Sequence, residues 1–145
     1  MPRRYVTAQE RQIVAERARD RCEYCQSPAD LATQSFSVEH IIPVSHGGET
    51  ALDNLALACP GCNGHKYTKT EAPDPVDGAV VPLYNPRKQR WQDHFRWNED
   101  FTRIVGLTPT GRATVSALQI NRPGVVNMRR ALFAIGLHPP VEEDE

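Results

Sequence analysis

The sequence predicts a small α+β fold, stapled by four cysteines and continued by an extension made of one hairpin and further helices. Three observations support that reading. Every cysteine belongs to one of two C-x-x-C pairs, Cys22-Glu-Tyr-Cys25 and Cys59-Pro-Gly-Cys62. Short runs of strand-forming residues, "SFSVEHII" and "LALA", lie between the pairs and are bounded by turn residues. Helix start and stop signals flank them, before the first pair and again beyond residue 107.

Taken in order, "TAQERQIVAERARD" opens with Thr7 and Glu10 in capping-box spacing, and good helix formers continue to Arg19. "SFSVEHII" reads as a strand that Pro43 and the Gly47-Gly48 pair bring to an end. "LALA" is a shorter strand leading into the second cysteine pair, and "NGHKYTKT" after Cys62 suits a short helix despite Gly64. With three prolines and three acids, "EAPDPVDGAVVP" reads as a surface connector. Beyond it, "HFRWNEDFTRIVGL" offers two strands around residues 98–100, a hairpin signal. Thr108 and Pro109 start a helix over "GRATVSALQI". A last helix follows Pro123, with Val125, Met128, Leu132 and Ile135 on one face, Arg129 and Arg130 largely off it, and Gly136 as its stop.

A C-x-x-C turn aims two thiolates at one point, and two such turns complete a tetrahedral Zn2+ site with no open position. The 33 residues between the pairs leave room for a functional segment. Disulfides and redox-active pairs are the alternatives. A reducing compartment disfavours the first, and the second does not normally come as a matched set. A closed Cys22/Cys25/Cys59/Cys62 zinc site holds a core together and performs no chemistry.

The composition bounds the function. No apolar run approaches the roughly 20 residues that span a bilayer, which excludes a membrane role. Arg3 and Arg4 are not followed by an apolar stretch, so no secretory signal is expected and the expected compartment is the cytoplasm. A net charge of −1 conceals a gradient. Residues 1–77 hold 8 basic and 11 acidic side chains, residues 78–141 hold 9 and 3, and the tail adds four acids. The basic distal half permits a polyanionic partner, and equally a merely solvated face.

Between and just after the cysteine pairs lie Glu39, His40, Asn54, Asn63, His65 and Lys66. A neutral imidazole takes a proton from water near neutral pH, and a carboxylate with an amide oxygen suits a hard cation. Together they can make a hydrolytic metal site. Neighbours on a regular strand point to opposite faces, so convergence of Glu39 and His40 requires the strand to end or twist there. Singly, each residue also fits an ordinary role: a surface ion pair for Glu39 and His40, a turn for Asn54, a helix cap for Asn63.

"VEHIIPVSHGGETALDNLALACPGCNGHK", flanked by the C-x-x-C pairs, resembles the zinc-knuckle branch of the HNH endonuclease family over about residues 20 to 68. The resemblance implies a ββα-metal core in which two strands and a helix hold one divalent cation against a scissile phosphate. It implies His40 as general base, Glu39 and Asn63 as ligands of catalytic Mg2+ or Mn2+, and Asn54 as the catalytic-site amide that ties down the loop and orients the histidine. Asn63 stands where many members have a histidine, which makes this an H-N-N variant. Lys66 matches a basic position that touches phosphate. The implied reaction is hydrolysis of a nucleic-acid phosphodiester, with double-stranded DNA as the first expectation. The alternative is a zinc-knuckle nucleic-acid-binding module without catalysis.

"PLYNPRKQRWQDHFRW" resembles, less specifically, an extension found in some bacterial HNH proteins. Arg87 and Lys88 are its candidate nucleic-acid contacts; the aromatics among its charges equally suit a small hairpin core. The expected organisation is a core with its N-terminal helix over 1–70, a linker over 71–82, a basic extension over 83–140 and an acidic tail over 141–145.

Overall fold

The computed structural model describes residues 3–141, so all but the first residue of the expected acidic tail lies outside the described residues. Helix α1 runs Ala8–Arg17, and its capping box forms as the sequence specifies. Thr7 Oγ1 accepts from the Glu10 N–H, while Glu10 Oε1 accepts from the Thr7 N–H at 3.0 Å. Strand β1, Ser37–His40, pairs antiparallel with β2, Leu55–Ala58, in a register that sets His40 opposite Leu55. Helix α2, Pro60–Lys66, then packs on β1. Cys59 caps it through its sulfur, which accepts from the Cys62 N–H, and Pro60 occupies the first turn, where a missing N–H costs nothing. The helix thus begins inside the knuckle rather than after it. Two strands and this helix make the small α+β unit.

The 71–82 segment, expected as a connector, is a hairpin. Strands β3 (Glu71–Pro73) and β4 (Val80–Pro82) pair around a turn and pack on helix α4, Pro109–Ala117. Asp74 anchors it: this buried carboxylate accepts from Arg112 Nε at 3.0 Å and Nη2 at 2.7 Å. Pro73 and Pro82 sit in short, exposed strands that tolerate a lost donor and Pro75 lies in the turn between them, so proline content alone misread the segment.

Helix α3 (Trp91–His94), the hairpin of β5 (Phe95–Trp97) and β6 (Ile104–Gly106), α4 and α5 (Pro123–Ala134) complete the described chain. They do not form a separate body. The four cysteines share one buried cluster with Tyr84, Phe95, Ile104, Ala113, Leu118 and Ile120, so the extension closes over the knuckles. Trp91 Nε1 donates to the Tyr24 carbonyl at 3.1 Å, fixing one aromatic of the extension onto the first knuckle. Val14 of α1 packs against Leu55 and Leu57 in a second cluster on the other side. No helix of the described residues is long and apolar enough to cross a membrane.

Candidate functional site

His40 is the last residue of β1, and the chain leaves the ladder directly after it. Glu39, His40 and Asn63 line one hollow of about 490 Å³, together with Arg11, Pro43 and Tyr67. Three of the expected site residues therefore meet, Glu39 and His40 from β1 and Asn63 from α2. Burial lowers the His40 pKa, which keeps its ring neutral at neutral pH.

Glu39 is only 7 % exposed and Lys66 only 1 %. Their charged ends stand 4.0 Å apart, and Lys66 Nζ donates to the Ile41 carbonyl at 2.9 Å. Burial raises the Glu39 pKa while Lys66 opposes the shift, and burial lowers that of Lys66 while Glu39 opposes it. The expected phosphate contact of Lys66 is thereby corrected: its ammonium is spent inside the fold, where desolvation makes a partner obligatory. Glu39 Oε1 has no hydrogen-bond donor although it is buried. A buried oxygen without a donor is one that a bound cation can satisfy. The hard oxygens of Glu39 and Asn63 fit a hard divalent cation in the hollow.

Asn54 does not touch the imidazole. Its Oδ1 accepts from the Ile42 N–H at 2.9 Å, and its Nδ2 donates to the carbonyls of Ile42 at 3.0 Å and Glu49 at 2.9 Å. One amide thus pins both ends of the 42–49 loop, satisfying polar backbone that would otherwise be buried unpaired. Gly48 makes this closure possible, because a Cβ there would overlap the Ile42 carbonyl and crowd the Asn54 amide.

The four cysteine sulfurs all lie within 4.8 Å of one another, buried and free of disulfides. Cys25 and Cys59 are 3.6 Å apart. A tetrahedron with metal–sulfur bonds of about 2.3 Å has an edge of about 3.8 Å. The knuckles therefore present a four-sulfur set of the right size for one metal ion.

Residues 22–69 match the family model described as HNH endonuclease. That segment, about a third of the chain, is similar to the HNH family. Over 109 residues, 74% of the chain, the sequence is also 26% identical to the Septu protein PtuB of Bacillus thuringiensis, of which the match spans 39% of the length. The chain thus corresponds to about two fifths of that relative.

Outside the HNH segment, two arginines serve the sulfur cluster. Arg122 donates to Cys59 Sγ at 3.3 Å and to Cys62 Sγ at 3.7 Å. Burial works against its charge, but the neighbouring Cys62 and Cys59 sulfurs outweigh that and hold its pKa above the ordinary value. Gly61 leaves the space, since any side chain there would collide with the guanidinium. Arg129, expected largely off the apolar face of α5, is instead 3 % exposed. It donates to the carbonyls of Thr102 at 2.9 Å, Ile120 at 3.1 Å and Cys25 at 3.3 Å, and lies 5.2 Å from the Trp97 ring centroid. Part of the distal positive charge thus faces inward, toward thiolates and carbonyls. The apolar periodicity of α5 held no signal for this, because the partners come from remote segments.

Arg87 is ion-paired with Glu23, a residue of the first knuckle. Lys88 and Arg90 line a separate hollow of about 480 Å³ with Arg17, Arg87 and the aromatic rings of Tyr84 and Trp91. His94 bonds Thr108 at 2.6 Å and packs beside Tyr84, and it does not line the hollow of His40.

Proposed function

We propose that the chain is a metal-dependent endonuclease that hydrolyses DNA phosphodiester bonds, with His40 as general base. The observation that carries this reading is the meeting of Glu39, His40 and Asn63 in one hollow of an HNH segment. The match of residues 22–69 to the HNH endonuclease model supports a nuclease-type role. Glu39 and Asn63 would hold Mg2+ or Mn2+ through hard oxygens. Such a cation supplies electrostatic stabilisation of charge developing on the phosphoryl oxygens and the leaving 3′ oxygen. His40 takes the proton of the attacking water, and Asn54 holds the loop that follows it. Bond cleavage leaves a 5′-phosphate and a 3′-hydroxyl. Zn2+ in the Cys22/Cys25/Cys59/Cys62 set is structural, and thiolate ligands suit the reducing cytoplasm. Lys88 and Arg90, with Arg87 beside them, offer the phosphate backbone of a duplex its positive surface.

One observation favours a second reading, a nucleic-acid-binding module without catalysis: Lys66 already balances the charge of Glu39. Cleavage of supercoiled plasmid with and without Mg2+ or Mn2+ separates the two. The endonuclease reading expects nicked or linear product only with added cation, reduced by roughly two to four orders of magnitude in His40→Ala. Duplex binding without cleavage under every cation overturns it.

A further inference from the structure

The histidine ring is held by a residue that the family resemblance did not single out. Thr50 Oγ1 lies 2.8 Å from His40 Nε2. The same hydroxyl donates a short hydrogen bond to the backbone carbonyl of Arg3. A carbonyl oxygen only accepts, and a threonine hydroxyl carries a single hydrogen, so that hydrogen is committed to Arg3. Toward His40 the oxygen then has only lone pairs to offer. The nitrogen facing it must carry the proton, and a neutral imidazole has one N–H.

We propose that Thr50 is a positioning residue that fixes His40 as its Nε2–H tautomer and leaves Nδ1 as the nitrogen that accepts the proton from water. The inference rests on the reading of His40 as base, and it assigns the base to one atom. Thr50 is 9 % exposed and is not among the residues lining the hollow, whereas His40 is. The hydroxyl therefore grips the ring from outside the hollow.

Both neighbours of Thr50 are themselves tied. The Glu49 carbonyl is held by Asn54 Nδ2 at 2.9 Å, which fixes the backbone just before Thr50. On the other side, the Arg3 guanidinium grips Glu10 at 2.7 and 2.8 Å and also donates to the Tyr5 carbonyl at 3.0 Å. Glu10 is the acid of the α1 capping box. A chain of contacts thus leads from the helix cap through Arg3 and Thr50 to the imidazole. Asn54 reaches His40 only through the Glu49 carbonyl and Thr50, and not by direct contact. An outer hydrogen bond that selects a tautomer is the usual means by which an imidazole is aimed.

The test reads the tautomer directly, by two-bond proton–nitrogen correlation spectra of zinc-loaded protein labelled with 15N-histidine, with His40 assigned by the signal lost in His40→Gln. The parent and Thr50→Ser should show Nε2 protonated and Nδ1 bare, and Thr50→Val should show a mixture or the opposite tautomer. In cleavage assays kcat should fall roughly ten- to hundredfold in Thr50→Val, as for other outer contacts to site histidines, with recovery in Thr50→Ser and little change in KM. An Nδ1–H tautomer in the parent overturns the proposal, as does an unaltered tautomer in a folded Thr50→Val. Should Thr50→Val fail to fold, the parent tautomer together with the Thr50→Ser spectrum decides. If the parent protein cleaves no DNA, the spectra still judge Thr50 while the endonuclease reading fails on its own.

Discussion

The guanidinium of Arg122 donates to the sulfur of Cys59 at 3.3 Å, joining residues 63 positions apart and bringing the basic half of the chain onto the knuckles. Four thiolates around one divalent cation leave a net negative charge in a buried place, and an arginine on two of the sulfurs offsets it.

Loss of Arg122 should therefore weaken metal retention without removing a ligand. Arg122→Gln is expected to release zinc to a chromogenic chelator at a concentration roughly ten- to hundredfold lower than the parent requires, the usual weight of an outer-shell contact. Cys59→Ser should go further and lose both metal and cooperative melting, because ligand binding and folding are coupled. Equal chelator resistance in Arg122→Gln and the parent would show that the contact with sulfur is incidental.

Lys66 gives a sharper test of Glu39. Lys66→Met keeps the length of the side chain but leaves a buried carboxylate without its cation, a change that costs roughly 3–5 kcal/mol when a buried pair is broken. Denaturant unfolding should show a loss of that order. If Glu39 is a ligand of the catalytic cation, Mg2+ or Mn2+ should restore more stability to Lys66→Met than it adds to the parent, since the ion takes over the lysine's electrostatic task. No extra gain with cation would leave Glu39 as a structural partner of Lys66 alone.

The contrast between Asn54 and Lys66 shows what the sequence could reveal. Capping box, β1, β2 and the knuckles were legible because each is set by local pattern: Thr7 with Glu10, short strand-forming runs bounded by turn residues, and paired cysteines at fixed spacing. The family order singled out Asn54, whose amide makes three bonds to the backbone of the loop. Burial of Lys66 and Arg129 was not legible. Both look like surface cations until the carbonyls and carboxylates supplied by distant segments are placed around them. Thr50 carried no signal for the same reason, since its partner Arg3 lies 47 positions away. The 71–82 hairpin was missed because proline and acid content outweighed a short apolar pairing whose anchor, Arg112, lies far along the chain.

Salt dependence should distinguish two kinds of basic residue in the extension. Lys88 and Arg90 line the basic hollow, whereas Arg87 is engaged with Glu23. Lys88→Glu and Arg90→Glu are expected to weaken duplex binding and to flatten the plot of log affinity against log salt by about 1 for each phosphate contact removed. Arg87→Glu should instead lower the melting temperature, because it sets like charges together beside the first knuckle. Unaltered slopes for both Lys88→Glu and Arg90→Glu would make this hollow a solvated surface and place the duplex elsewhere.

The pH profile tests His40 as the base. Only the neutral imidazole takes a proton, so activity must fall as pH drops through the histidine's pKa. Burial lowers that pKa from the ordinary 6.5. The acidic limb of kcat/KM should therefore have its midpoint below 6.5, with activity level through neutrality where a free histidine would still be partly charged. His40→Ala should lose this limb together with roughly two to four orders of magnitude in cleavage, while melting and duplex affinity change little. An acidic limb that persisted in the residual activity of His40→Ala would assign that limb to another group. Cleavage by His40→Ala at the parental rate would remove the histidine from the chemistry, and the hollow formed by Glu39 and Asn63 would then have to recruit its base from bulk water.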